Sequence, residues 1–151
     1  MGRYAPDEGQ HLPLMAIQTD FEVKVIDPRP IFAISEGFPE IRLAHDWSDI
    51  ALSDVDLDSK TTLVALTLDP KIYDTALHKV LGKSLFHTAC IGSRRTHVER
   101  LKWLPKAGFS NAETTKIEGP AGLNIEAKTP AEVAVSVLGE FFAAYICRAP
   151  R

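Results

Sequence analysis

The sequence predicts one α/β domain in which a mostly parallel β-sheet lies between two layers of helices. Strand-like segments alternate along the chain with helical ones, an order that gives parallel strands joined by right-handed crossovers. The strand-like segment "TTLVALTL" at 61–68 is almost continuously apolar, which is typical of a strand covered on both faces. With 45% hydrophobic residues, a chain of 151 residues can bury one core. We expect residues 1–151 to form this single domain.

The other strands and the first helix are predicted from shorter patterns. "FEVKVID" at 21–27 is rich in β-branched residues and stops at Asp-Pro, and "SLFHTACIG" at 84–92 is a further buried strand. "IRLAH" at 41–45 is a weaker strand that precedes a helical turn near 47–52. A helix is plausible from His11 to Thr19 despite Pro13. Only 3–5 remains for a strand before it, so the first strand is predicted to be truncated or missing, and the glycine motif G-x-G-x-x-G that normally follows it is absent.

Two helices are framed by capping residues. In "LDPKIYDTALHKVLGK", Asp69 is the predicted cap, Pro70 takes the first position and Gly82 ends the helix. In "SRRTHVERLKWL", Ser93 is the cap and Pro105 ends or kinks the helix. Apolar spacing assigns the core-facing residues of the two helices as Ile72, Ala76, Leu77, Val80 and Leu81, and as Val98, Leu101 and Leu104.

The last helix has the strongest pattern. Thr129 and Glu132 form a predicted capping box around Pro130. Beyond the cap, Glu132, Ser136 and Glu140 make one narrow polar stripe, and apolar residues cover nearly all the rest. A helix with so little polar surface is predicted to be covered on two sides. We therefore expect it to pack on the sheet and on a second subunit, as in a homodimer.

Composition excludes several classes of function. The net charge of −3 argues against a nucleic-acid-binding protein, which needs a basic face. The polar residues of the last helix interrupt the longest apolar run, so no membrane span is expected. The start, "MGRYAPDEGQ", has no apolar targeting core, which indicates a cytoplasmic protein. The two cysteines and five histidines have no metal-ligand spacing, and no catalytic constellation can be inferred.

Candidate binding residues follow three strands, because ligands of such sheets bind beyond the carboxyl ends of the strands. Asp27 could hydrogen-bond a ribose hydroxyl and Arg29 could bind a phosphate, or Asp27 and Pro28 could simply build a turn. Thr67 could direct its hydroxyl at a ligand, whereas Asp69 is expected mainly as a helix cap.

The third candidate segment opens the helix after 84–92. Gly92 allows close approach to the backbone, Ser93 can cap the helix or bind an oxygen, and Arg94 and Arg95 offer forked donors to a phosphate. The alternative is that both arginines are solvated or paired with acids. Cys90, nearby, is either a buried inert cysteine or a thiol made reactive by these arginines.

Two long segments resemble the carboxyl-terminal Rossmann domain of the xanthine dehydrogenase accessory family, XdhC/CoxI. They are "CIGSRRTHVERLKWLPKAGFS" and "IEGPAGLNIEAKTPAEVAVSVLGEFFAAYICR", and "FEVKVIDPRP" is similar to that family's second strand. The sequence departs from the family pattern in having Ala5 for a glycine of the first loop, Leu68 for the usual histidine and Glu126 where glycine is common. The family's separate amino-terminal domain has no counterpart among these 151 residues.

The resemblance implies a Rossmann-like fold and an accessory role in maturing molybdenum hydroxylases. It implies binding of the molybdenum cofactor (molybdopterin) or a related dinucleotide, with "GSRR" as its phosphate anchor, and a molybdenum hydroxylase or its sulfurase as partner. An accessory factor of this kind needs no bond-making residues. Two alternatives remain open at this point: an NAD(P)-binding oxidoreductase-like domain, suggested by the fold alone, and a dimerising scaffold that has lost its ligand.

Overall fold

The computed structural model of the protein describes residues 8–29 and 42–148, and the side chains from residue 11 onward. The predicted first strand at 3–5 lies outside the described residues. The elements, in chain order, are α1 (Glu8–Ile17), β1 (Lys24–Ile26), β2 (Arg42–Ala44), α2 (Ser48–Ser53), β3 (Thr62–Ala65), α3 (Pro70–Val80), β4 (His87–Cys90), α4 (Arg94–Trp103), a 3-10 turn (Leu104–Ala107), α5 (Asn111–Thr114), β5 (Ile117–Glu118) and α6 (Pro130–Arg148).

All strand pairs in the described parts of the chain are parallel, as predicted. β1 pairs with β2, and β3, β4 and β5 form a three-stranded sheet with β4 in the centre. Thr62 lies opposite His87, and Thr88 lies opposite Ile117. The short strand β5 and the helix α5 before it were not predicted from the sequence.

Helices cover both faces of the central sheet. On one face, Val64 and Leu66 pack against a cluster from α1 and α6 that includes Leu12 and Val137. On the other face, Ala65 belongs to a cluster from α2, α3 and the 3-10 turn. Leucine and valine side chains in these clusters are fully inaccessible to solvent: Leu77, Leu104 and Val137. The chain is therefore a three-layer α/β domain of the Rossmann-like type, as the sequence predicts.

The predicted amino-terminal caps of α3 and α6 are confirmed, whereas α3 ends at Val80, two residues before the predicted Gly82. The Asp69 carboxylate accepts the Lys71 N–H at 3.0 Å, with Pro70 in the first position of α3. The Thr129 hydroxyl accepts the Glu132 N–H at 3.2 Å, and the Glu132 carboxylate accepts the Thr129 N–H at 3.0 Å. The whole predicted inner face of α3 is buried: Ile72, Ala76, Leu77, Val80 and Leu81.

The predicted inner face of α4 is wrong in part. Leu104 is buried and Leu101 is half-buried, but Val98 is 49% exposed. The inward positions are instead His97, half-buried, and Arg100, only 3% exposed. The Arg100 guanidinium lies over the Tyr73 ring at 4.7 Å and donates to the Ile91 carbonyl at 3.4 Å. Buried helix faces are recognised in a sequence by the spacing of apolar residues, so a face that buries polar residues cannot be recognised in this way.

Two of the three residues of the polar stripe of α6, Ser136 and Glu140, face inward, whereas Glu132 at the cap is exposed. Ser136 is 5% exposed, and the Glu140 carboxylate lies 3.2 Å from Nε2 of the buried His87 on β4. The outer face instead exposes apolar residues, among them Val135, Tyr145 and Ile146. By length and composition alone α6 could also cross a membrane, contrary to the expectation from its glutamates, but core helices of soluble proteins satisfy the same criterion.

Candidate functional site

A cavity of about 600 Å³ lies at the carboxyl edge of the central sheet. Its walls come from the segments that follow β3, β4 and β5 and from the first turns of α6. Parallel strands bring their carboxyl ends to one edge, so these separate segments meet at the position where such sheets bind ligands. The residues that line the cavity include Leu68, Gly92, Ser93, Arg94, Gly122, Leu123, Asn124, Ile125, Glu126 and Ser136.

The turn from β4 into α4 forms one wall. Gly92 has a φ of +137°, and a Cβ at this position would lie 3.3 Å from the Thr96 side chain. The Ser93 hydroxyl caps α4 by accepting the Thr96 N–H at 3.1 Å. The first N–H groups of a helix have no acceptor inside it, which leaves that of Arg94 available beside the cavity. The positive end of α4 therefore lies where an anion can bind.

The two arginines of this turn differ in position. Arg94 lines the cavity, and in the described parts of the chain no acidic side chain forms an ion pair with it. Arg95 is exposed and does not line the cavity. The structure thus brings Gly92, Ser93 and Arg94 of the predicted segment together at the cavity.

The loop after β5 forms the opposite wall, which was not predicted from the sequence. The Ala121 N–H donates to the Cys90 carbonyl at 2.8 Å, and the Leu123 N–H donates to the Ser136 carbonyl at 3.1 Å. Gly122 has a φ of +103°, and a Cβ there would lie 2.4 Å from the Ser136 Oγ. This wall is therefore fixed to β4 on one side and to α6 on the other.

The rim combines apolar and polar side chains. Leu68, Leu123 and Ile125 are each close to half exposed, and all three line the cavity. Asn124 and Glu126 add an amide and a carboxylate. Glu126 has a φ of +56°, a conformation that glycine adopts at the lowest cost. The arrangement offers apolar contact at the mouth and an anion-binding turn on one side.

The other predicted site residues form local contacts outside this cavity. Arg29 donates through Nε and Nη2 to the two carboxylate oxygens of Asp27, at 2.8 and 2.6 Å, and its N–H donates to the same carboxylate at 2.9 Å. The Thr67 hydroxyl accepts the Asp69 N–H at 3.1 Å, and Asp69 caps α3. Leu68, which lies between Thr67 and Asp69 in the sequence, does line the cavity.

Cys90 is an inert cysteine rather than an activated thiol. It is fully buried, and burial raises the pKa of its thiol to about 11, an effect that the nearby Arg100 guanidinium only partly opposes. We expect iodoacetamide at pH 7.5 to alkylate the exposed Cys147 and to leave Cys90 unmodified in the folded protein. Peptide mass spectrometry measures both sites, and the denatured protein, in which both must react, is the control. Alkylation of native Cys90 at the rate of Cys147 would contradict the assignment.

His97 joins α4 to the loop after β5. Its ring packs so closely on Gly119 that a Cβ there would lie 2.1 Å from Nδ1. Nδ1 is buried and has no hydrogen-bond partner in the described parts of the chain. Burial lowers the pKa of His97, the charge of Arg100 lowers it further, and Glu118 on β5 opposes both. The ring is therefore neutral in the folded protein at pH 7.

A pH dependence of stability follows from His97. Because its pKa is lower in the folded than in the unfolded chain, the unfolded chain binds the proton first as the pH falls. We expect the free energy of unfolding to decrease as the pH is lowered from about 6.5 through the folded-state pKa of His97. Urea unfolding between pH 5 and 8 measures this, with the exposed His78 replaced in a control variant, His78→Asn. His97→Asn must flatten the dependence, and an unchanged slope in that variant would refute the assignment.

Comparison with known proteins places the chain in a family. It matches the family model described as the XdhC Rossmann domain over residues 4–141. It is 32% identical over 90 residues to the molybdenum cofactor insertion chaperone PaoD of Escherichia coli K12, a match that covers 60% of this chain and 28% of the relative. It superposes on a solved structure titled as a xanthine dehydrogenase from Bacillus halodurans with a TM-score of 0.80 at 22% identity, covering 96% of this chain and 41% of the other. The chain thus spans less than half the length of either protein. Since the family match extends over most of its residues, the chain belongs to the XdhC family and contains its Rossmann domain.

Proposed function

We propose that this domain binds the molybdenum cofactor, or a related pterin dinucleotide, in the cavity at the carboxyl edge of the sheet. In this proposal it is an accessory factor in the maturation of xanthine dehydrogenase-type enzymes. One observation carries the proposal: Arg94, at the start of α4 and without an acidic partner among the described residues, lines a cavity of about 600 Å³. Family membership and the similarity to an insertion chaperone support this choice of ligand.

The residues of the cavity fit such a ligand chemically. The cofactor combines a fused pterin ring with a phosphate, and the volume lies within the roughly 300–1,000 Å³ of small-molecule sites. Arg94 and the first N–H groups of α4 would hold the phosphate. Leu68, Leu123 and Ile125 would contact the ring faces, and Glu126 would accept hydrogen bonds from ring N–H groups. Because the Glu126 carboxylate repels a phosphate, the pterin ring would lie at the end of the cavity that contains Glu126.

In this proposal the domain is a carrier, which binds the cofactor without reacting with it. When bound, the cofactor would bring the molybdenum centre that performs redox chemistry in the mature enzyme. The residues of this chain bind it, orient it and shield part of its surface. The half-exposed rim leaves the ligand accessible for release to a second protein, which we propose to be the molybdenum hydroxylase or its sulfurase.

The binding of cofactor by Arg94 can be tested directly. Purified domain is mixed with cofactor released from a mature molybdenum hydroxylase, passed through gel filtration, and the retained pterin is oxidised with iodine and measured by fluorescence. We expect retention by the wild type and at least a tenfold loss in Arg94→Ala, because a charge-assisted hydrogen bond contributes about 1.5–3 kcal/mol. Arg95→Ala is the matched control, with a loss of about twofold or less. Equal retention by Arg94→Ala and the wild type would refute the phosphate anchor, and no retention by the wild type would refute the proposal.

We also propose that the exposed apolar face of α6 joins two copies of the chain. Val135, Tyr145 and Ile146 are 52%, 59% and 69% exposed, which supports an interface on this side of the helix. Sedimentation velocity should give a dimer for the wild type and a monomer for Ile146→Glu. A strictly monomeric wild type across micromolar concentrations would remove the interface from the proposal.

A further inference from the structure

A second cavity, of about 380 Å³, lies at the opposite edge of the central sheet, where β4 begins. It is bounded by the end of α3, the segment from Lys83 to Thr88, the start of β5 and Arg148 at the end of α6. The binding of a pterin at the carboxyl edge makes no use of it. The second cavity therefore needs an explanation of its own.

Positive charge is concentrated around this second cavity. Lys83, Lys116 and Arg148 line it, against one carboxylate, that of Glu118. The whole chain carries a net charge of −3, so this excess is local and opposite in sign. In the described parts of the chain, neither lysine forms an ion pair. The three cations therefore produce a field that favours an anion.

Arg148 is held in place by the segment that leads into β4. Its guanidinium lies over the Phe86 ring at 4.8 Å, and its Nη1 donates to the Phe86 carbonyl. These contacts use one face and one nitrogen of the group, and its other N–H groups have no hydrogen-bond acceptor in the part of the chain that the structure describes.

The wall of the second cavity contains the threonine Thr88. Thr88 is 7% exposed and lines the cavity, and its Oγ1 makes no hydrogen bond to any described residue. Side chains alternate along a strand, so Thr88 faces away from its neighbour His87, which contacts Phe141 and Glu140 of α6. A hydroxyl in the wall of a cavity can donate a hydrogen bond to an anion bound there.

We propose that the second cavity binds a small phosphate-bearing anion, held by the two lysines and Arg148 and hydrogen-bonded by the Thr88 hydroxyl. The volume is too large for one phosphate group alone and suits pyrophosphate or a small organic phosphate. Glu118 restricts the charged end of the ligand to the side of the lysines. This site is separate from the cavity at the carboxyl edge, and its ligand is a different molecule.

Isothermal titration with inorganic pyrophosphate tests the site. The titration uses the chain carrying Arg94→Ala, so that anion binding at the other edge does not contribute, and ionic strength is matched with potassium chloride. We expect one saturable site whose Kd rises at least tenfold in Lys83→Ser with Lys116→Ser. Thr88→Val should raise the Kd at least threefold while the Tm stays equal or increases, because the hydroxyl that it removes has no hydrogen-bond partner among the described residues.

A control pair distinguishes specific binding in the second cavity from nonspecific electrostatic attraction of pyrophosphate to surface lysines. Lys60→Ser with Lys106→Ser removes two exposed lysines outside the second cavity and should change the Kd by less than twofold. The proposal is overturned by the absence of saturable binding, by an equal loss in this control pair, or by an unchanged Kd in Thr88→Val. None of these results bears on pterin retention by the wild type, so the two proposals fail independently.

Discussion

Replacing Gly119 by alanine is expected to lower the free energy of unfolding by about 2–3 kcal/mol. The added Cβ would lie 2.1 Å from Nδ1 and 2.6 Å from Cε1 of His97, distances at which either the ring or the loop must move. The ring cannot simply turn away, because it is half-buried between α4 and the loop after β5. Urea unfolding monitored by circular dichroism measures the loss.

A double-mutant cycle tests the cause of this destabilisation. Removing the ring in His97→Ala removes the overlap, so Gly119→Ala should cost at least 1 kcal/mol less in the His97→Ala background than in the wild type. Gly82→Ala is the control, because no atom of a described residue lies within 4 Å of the added Cβ, and its effect should stay within about 0.5 kcal/mol. Additive losses in the cycle would show that the clash with His97 is not the cause.

This pair of residues also shows where prediction from sequence stops. The caps of α3, α4 and α6 are contacts between residues two or three positions apart, so Asp69, Ser93 and Thr129 can be recognised from a short stretch of sequence. The requirement for glycine at position 119 comes from His97, on a different element. A contact of that kind is visible only after the chain has folded.

The inner face of α4 was misassigned for a related reason. Apolar spacing selected Val98, but the position that is buried most deeply in the second turn is Arg100. Its guanidinium is accommodated because Tyr73 of α3 provides an aromatic face and Ile91 provides a carbonyl. Both partners are distant in sequence, so a pattern based on apolar residues alone cannot place this helix.

Only one wall of the cavity at the carboxyl edge could be predicted from the sequence. The turn after β4 was predicted because glycine, a hydroxyl and arginine coincide at the start of a helix. The wall between Pro120 and Ala127 was missed, since β5 comprises two residues and gives almost no strand signal. The pair Asp27 and Arg29 was placed at a ligand site by analogy with nucleotide-binding sheets, and the structure joins the two to each other.

Substitution of Gly122, in the loop after β5, is the other change expected to have a large effect on stability. Gly122→Ala introduces two costs at once: a side chain at a φ of +103° and a Cβ 2.4 Å from the Ser136 Oγ. Backbone strain of this kind costs about 1–3 kcal/mol, and the overlap adds to it. We expect the free energy of unfolding to fall by about 3 kcal/mol. Because the wall carries Leu123 and Ile125, we also expect at least a fivefold loss of pterin retention at a temperature where the variant remains folded.

A second substitution at Ser136 should restore only part of the stability that Gly122→Ala loses. Ser136→Ala removes the hydroxyl, but the Cβ and the backbone carbonyl carbon of residue 136 would both remain 3.3 Å from the new methyl group, and the backbone strain is unchanged. Gly122→Ala with Ser136→Ala should therefore recover less than half of the lost stability in urea unfolding. Full recovery would mean that the hydroxyl overlap alone sets the cost, whereas no recovery would assign all of it to the backbone. Partial recovery, together with persistent loss of retention, would show that the left-handed conformation at position 122 shapes the cavity wall.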